Sequence, residues 1–230
     1  MCVPAHVEPA DFAAFMSAAK RMHNLDGFVI TVPHKFAAFA HCDALSDRAR
    51  FLNAVNVIRR DHDRWIGEMT DGIALLAALR ARGFEPKGER ALVVGAGGAG
   101  SAVALALVDA GIGELAIADL DAERRHDLVT RLKTLGVNVQ ASSADPSSCR
   151  LVVNATPVGM AQDDPLPIDP VGIAQGAVVA DLITRPAVTP LLQAARERNA
   201  VIVTGTEMFA PQRNILVDFL LGAPFAPSRH

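Results

Sequence analysis

Cysteine is scarce in this 230-residue chain, and its three copies stand apart. Cys2, Cys42 and Cys149 form neither a CxxC pair nor a Cys/His group. So scattered and odd a set excludes a disulfide framework or a thiolate metal site, and it fits reduced cytosolic thiols. Positive charge is not in excess either. Lys and Arg number 22 against 25 Asp and Glu, a formal net charge of −3. That balance offers no basic surface to nucleic acid or to an anionic membrane. No apolar run is long enough to span a bilayer, and neither a signal peptide nor a lipidation motif is present. Repeats and low-complexity tracts are absent too. These absences lead us to expect a cytoplasmic protein with no nucleic-acid, membrane or metal partner.

What is present is half hydrophobic, enough for one large core or two small ones. Met1 to His6 reads as the end of a strand, and Glu8-Pro9-Ala10-Asp11 caps a helix to about Met22. Gly27–Val32 reads as a strand stopped by Pro33, with helices over Lys35–Phe39 and Ser46–Phe51. Ala54–Arg59 and Arg64–Glu68 read as a hairpin around Asp61-His62-Asp63, a cluster better suited to a turn than to a metal. Thr70 or Asp71 then caps a helix through Ala81.

From Arg90 the pattern becomes alternating strand and helix. The strands are Ala91–Val94, Leu115–Ala118, Val137–Gln140, Leu151–Asn154, Val178–Asp181 and Val201–Val203, with helices notably at Asp121–Leu135 and Thr189–Arg198. That alternation predicts a doubly wound parallel sheet. Thr206–Leu221 reads as a helix leaving the sheet, with a polar tail from Pro224.

The stretch that organises this half is Ala91-Leu-Val-Val-Gly95-Ala96-Gly97-Gly98-Ala99-Gly100, a buried strand running into GxGxxG and then into an Ala/Leu-rich helix. Gly95 permits the tight turn, Gly97 lets backbone approach a pyrophosphate, and Gly100 lets helix and strand pack; the helix N-terminus faces the phosphates. A bare GxGxxG is weak evidence. Here a second strand ends in Asp119 at about the offset expected of a ribose-binding acid, so strand, turn, helix and acid occur in order. The sequence therefore predicts an α/β protein with a Rossmann-type doubly wound sheet over residues 73–205. Residues 1–72 form a smaller α/β substrate domain, with 206–230 packing back on it. The partner is a small molecule, and the protein is a monomer or homodimer.

Six stretches together resemble the shikimate/quinate dehydrogenase family: Thr31-Val-Pro-His-Lys35, Asn53-Ala-Val-Asn56, Gly67-Glu-Met-Thr-Asp71-Gly72, Gly95-Ala-Gly-Gly-Ala99, Val153-Asn-Ala-Thr-Pro-Val-Gly-Met160 and Gly205-Thr-Glu-Met208 leading to Gln212. They run through nearly the whole chain in the family's order. The resemblance implies a hydride transfer between NAD(P) and a carbinol carbon of a shikimate- or quinate-like hydroxy acid. It makes Lys35 and Asp71 the catalytic pair, with Thr31, Asn56, Gln212 and Thr184 at the substrate. Asn154, Ala155, Thr156, Leu182, Gly205 and Met208 fall near the cofactor beside the Gly95–Ala99 cradle. His34, next to Lys35, reads as structural.

Departures from the pattern point elsewhere. The family's opening strand and two-serine turn have no counterpart, and its polar residues are replaced at Val29, Met69 and Thr184; the chain holds no tyrosine. An alternative is thus a catalytically silent or regulatory nucleotide-binding protein. Where the NADP-preferring members carry Asn-Arg-Thr, this chain has Asp119-Leu120-Asp121. A carboxylate at Asp119 would accept from a ribose hydroxyl and repel a 2′-phosphate; Arg124 and Arg125 compensate in part at most, and read first as solvated helix surface. The expectation is NAD, with NADP possible.

Overall fold

The computed structural model describes residues 2–224. Met1 of the expected first strand, and residues 225–230 of the expected C-terminal segment, lie outside them. The chain divides into two compact units: one runs to Thr70 and resumes at Ile215, and the other spans Asp71–Asn214.

In the first unit a 3-10 turn over Pro9–Asp11 leads into α1 (Phe12–Ala19). Then follow β1 (Gly27–Val29), α2 (Lys35–Phe39), β2 (Ala44–Leu45), α3 (Asp47–Leu52), β3 (Val57–Asp61) and β4 (Arg64–Glu68). The sheet order is β1-β3-β4-β2, antiparallel except for the β2–β4 pair. The β3–β4 hairpin closes at His62-Asp63, where His62 takes φ 56. Where the unit resumes, Leu216 and Phe219 pack on Val57 and Ile66.

Three expectations are corrected in this unit. Residues 2–8 form no strand. Strand β1 ends at Val29, because after Ile30 bonds the Asn56 carbonyl the backbone turns, with His34 N–H donating to Thr31 O. Helix α1 ends at Ala19 rather than near Met22. There Arg60, whose guanidinium lies over the Trp65 ring, donates to the carbonyls of Ala19, Lys20, Met22 and Leu25. A side chain some forty residues away thus satisfies the helix-end carbonyls that a local cap would otherwise take.

The second unit opens with α4 (Asp71–Ala81) and continues β5 (Arg90–Val94), α5 (Gly98–Asp109), β6 (Glu114–Ala118), α6 (Ala122–Lys133), β7 (Asn138–Ala141), β8 (Leu151–Asn154), β9 (Val178–Asp181), α7 (Pro190–Glu197) and β10 (Val201–Val203). It ends in α8 (Gly205–Leu220), which belongs to this unit as far as Asn214. All six strands are parallel, in the order β10-β9-β8-β5-β6-β7. Their central runs are buried, as expected of strands covered on both faces. The order reverses between β5 and β8, the switch point outside which a doubly wound sheet binds ligands. Among the described residues no helix is long and apolar enough to cross a membrane, and no group of three or more His, Cys, Asp or Glu could hold a metal.

Candidate active site

Turn chemistry sets the nucleotide cradle. At the end of β5, Gly95 takes φ 102, and its N–H donates to Ala118 O, tying the turn to β6. Gly100 has no room for a side chain: a Cβ there would stand 1.8 Å from Gly95 O. Gly97 is different. It precedes α5 in extended backbone, no side chain caps the helix at that point, and a Cβ added there would meet nothing within 4 Å. Gly98 and Ala99 form the first turn of α5. An uncapped helix N-terminus beside open space suits a dinucleotide pyrophosphate, so the residues fit that group.

At the end of β6 the Asp119 carboxylate is already engaged. Oδ2 accepts from Ala96 N–H at 2.6 Å, and Oδ1 accepts from Asp121 N–H at 2.8 Å. Arg124 Nη2 stands 3.5 Å from Asp119 and 3.3 Å from Asp121, while Leu120 is fully exposed. Asp121 caps α6 through Arg124 N–H.

The carboxyl ends of β8 and β9 carry a buried polar network. The Asn154 side-chain amide donates to Val158 O and to Asp181, and its oxygen accepts from the N–H and hydroxyl of Thr156. Ala155 and Thr156 are half-buried, and Ala155 N–H bonds Val94 O of β5. Beyond β9, Leu182 is half-buried and Thr184 exposed. The loops after β8 and β9 also flank an open groove lined by Met160, Pro186, Val188 and Gln193; no predicted site residue lines it.

A capping box fixes α8: Thr204 Oγ1 accepts from Glu207 N–H, and the Glu207 carboxylate accepts from Thr204 N–H. Arg82 donates to the same glutamate. Gly205 packs on the β9 loop, where a Cβ would stand 2.3 Å from Ile183 O. One turn on, Met208 is buried, and a further turn brings Gln212 Nε2 to Asp71 Oδ1 at 2.6 Å. Asp71 opens α4 and is 4% exposed, so this contact orients a nearly inaccessible carboxylate.

The first unit carries the other predicted residues. Lys35 is the first residue of α2, half-buried, and its carbonyl accepts from Val55 N–H; Thr31 is exposed. His34 stacks on Phe12 at 4.3 Å, and its Nε2 bonds Val7 O at 2.8 Å. Asn56 is buried: Nδ2 donates to Thr70 Oγ1 at 2.9 Å, and Oδ1 accepts from Thr70 N–H at 2.8 Å. The structure thus pairs Asp71 with Gln212 and Asn56 with Thr70.

Sequence reasoning missed a cluster beside that last pair. Ser46 caps α3 and donates to Glu68 Oε1 at 2.5 Å, Met69 N–H donates to the same oxygen, and Arg48 lies 4.0 Å away. Burial pushes the Glu68 carboxyl above the usual range despite these partners. It also missed Asp181 and Thr189. The available signal was an acid or amide closing an otherwise apolar strand, as in Leu-Val-Val-Asn154 and Val-Val-Ala-Asp181.

Residues 2–58 match the family model described as shikimate dehydrogenase substrate binding domain, and residues 87–131 match the ThiF family model. A shikimate dehydrogenase (NADP(+)) of Acidiphilium cryptum (strain JF-5) is 41% identical over 210 residues, covering 91% of this chain and 75% of the relative. The crystal structure of shikimate 5-dehydrogenase from Thermus thermophilus with NADP(H) and shikimate matches at TM-score 0.83 and 32% identity, over 96% of this chain and 82% of that one. Ligand-free 5-ketofructose reductase of Gluconobacter sp. strain CHM43 matches at TM-score 0.83 and 29% identity, over the same shares.

These findings overturn the expectation of NAD, since the relatives are named for NADP(+) and the Thermus structure holds NADP(H). The feature that the expectation underweighted is Arg124, which sets a cation 3.5 Å from Asp119, whose oxygens also accept from the N–H groups of Ala96 and Asp121. The reading as a silent or regulatory protein finds no support. By sequence identity and by fold, the chain belongs to the shikimate dehydrogenase family of nicotinamide-dependent dehydrogenases acting on CH–OH.

Proposed function

We propose that this chain oxidises the carbinol of shikimate with NADP+, reversibly, with the first unit binding substrate and the second the dinucleotide. The observation that carries this reading is the buried Asp71 carboxylate held by Gln212, in a chain whose cradle leaves open space at Gly97.

When bound, the nicotinamide would supply the hydride acceptor. The protein's own task is the hydroxyl proton. We assign its removal and return to Lys35 and Asp71, acid/base work of a kind that contributes about 10²–10⁴-fold. Gln212 keeps Asp71 in one orientation, so the carboxylate does not have to be ordered during the reaction. Thr31, Asn56 and Thr184 receive the substrate's hydroxyl groups. Gly95, Ala96, Gly97, Gly98 and Ala99 hold the pyrophosphate, and Arg124 beside Asp119 and Leu120 meets the 2′-phosphate. Asn154, Ala155, Thr156, Leu182, Gly205 and Met208 border the nicotinamide end.

Purified protein is tested with NADP+ against shikimate and quinate, and with NADPH against 5-ketofructose, following the absorbance of the reduced cofactor. Turnover of shikimate above the other two is expected. Absence of shikimate turnover with NADP+ overturns the reading.

A further inference from the structure

Asn154 and Asp181 close neighbouring parallel strands and are register partners, so their side chains meet where the sheet hands over to its loops. Both are buried, at 0% and 2% exposure. Asp181 Oδ1 accepts from Ile183 N–H at 3.1 Å and from Asn154 Nδ2 at 3.2 Å, and Oδ2 accepts from the Thr189 hydroxyl at 2.7 Å. All three donors are neutral. Burial accordingly pushes this carboxyl above the usual range, though each bond opposes the rise. A buried carboxylate held only by neutral donors is costly to keep.

What depends on it is the orientation of Asn154. That side chain gives both N–H bonds, one to Asp181 and one to Val158 O, and its oxygen accepts both Thr156 donors. Turned over, the amide would set its oxygen against the carboxylate and the Val158 carbonyl, and its N–H groups against the Thr156 N–H. The carboxylate therefore selects one orientation. The bonding continues into the turn, where Val158 N–H donates to Thr156 Oγ1. It also continues into α7, where Thr189 Oγ1 accepts from Leu192 N–H as the helix cap.

We infer that Asp181 and Thr189 are positioning residues: held by the cap of α7, the carboxylate fixes the Thr156–Val158 turn through Asn154 and the next loop through Ile183 N–H. One buried group thus sets two loops together. Their bearing on the reaction rests on the proposed function, in which both loops border the nicotinamide end. The phosphate contacts assigned to Gly97 and Arg124 are separate, so the latch controls how the nicotinamide end is placed rather than whether the dinucleotide is retained.

The test uses Thr189→Val, which keeps shape and loses the hydroxyl; Thr189→Ser, which restores it; and Asp181→Asn, which keeps shape and loses the charge. Amide hydrogen exchange in the cofactor-free protein reads the latch itself. Thr156, Val158 and Ile183 should exchange about 10- to 100-fold faster in Thr189→Val and Asp181→Asn, the factor expected when a buried hydrogen bond to a charged group is lost. Thr189→Ser should match the wild type. In steady state, kcat should fall on the order of tenfold in Thr189→Val while KM for NADP+ stays within about twofold, since misplacing a bound reactant costs rate more than affinity. Faster exchange confined to Leu192 and its helix turn would reduce Thr189 to an ordinary cap and overturn the inference. So would a kcat unchanged in an active enzyme. A wild type that turns over no shikimate would refute the proposed function, while the exchange data would still decide the latch.

Discussion

Two alanine substitutions three residues apart in the glycine turn should fail in different ways. In Gly100→Ala the new methyl would lie 1.8 Å from Gly95 O, 2.8 Å from the Gly95 carbonyl carbon and 3.2 Å from Ala155 Cβ. The first two are backbone atoms of the turn, so they yield only by moving the loop. Overpacking of this kind costs about 3 kcal/mol, the upper end of the usual range. The helix preference for Ala over Gly returns about 1 kcal/mol. The net loss of about 2 kcal/mol should lower Tm by about 4–8 °C for a chain of this size. In Gly97→Ala the methyl enters open space, and the backbone at φ −69, ψ −176 is open to any residue. Stability should therefore change by less than about 1 kcal/mol. That same methyl occupies the approach assigned to the pyrophosphate, and KM for NADP+ should rise by about tenfold or more. Thermal unfolding without cofactor and a steady-state NADP+ titration separate the two outcomes. An unchanged NADP+ affinity in Gly97→Ala, or an unchanged Tm in Gly100→Ala, would refute the reasoning.

Three further outcomes follow from particular side chains. Arg124→Ala removes the cation beside Asp119 and should weaken NADP+ binding by about tenfold, the worth of a charged hydrogen bond, while NAD+ binding changes far less; equal losses would remove Arg124 from the 2′-phosphate. Glu68 has a folded pKa raised by burial, so its contribution to stability is full below the ordinary glutamate range and is lost as pH rises through the folded value. The difference in unfolding free energy between wild type and Glu68→Gln, followed by denaturant titration across that window, should fall with rising pH; a flat difference contradicts the assignment. Ser46→Ala removes the α3 cap and a donor to Glu68 together, and should cost about 2 kcal/mol by the same titration.

The parallel sheet was legible because its strands are buried on both faces and read as short apolar runs between turn residues, so Leu151–Asn154, Val178–Asp181 and Val201–Val203 coincide with β8, β9 and β10. The glycine turn was legible for a related reason, since Gly95 and Gly100 answer to local backbone geometry that only glycine satisfies. Features settled by distant partners were not. The two-residue β2 exists only through its pairing with β4, and the end of α1 is set by Arg60. The cofactor shows the same limit. A carboxylate at the end of a second strand implies a ribose acceptor, but the Arg124 cation 3.5 Å from it comes from the following helix, which the strand pattern does not announce. Gln212 lies 141 positions from Asp71, so nothing in local spacing announces their contact.

The central claim is that Lys35 and Asp71 handle the substrate's hydroxyl proton. The most direct measurement is the initial rate of NADP+ reduction by shikimate in wild type, Lys35→Ala and Asp71→Asn, each shown by thermal unfolding to be folded. Wild type should be active, and each variant should lose about 10²–10⁴-fold in kcat. Folded variants that turn over shikimate at the wild-type rate would contradict the claim.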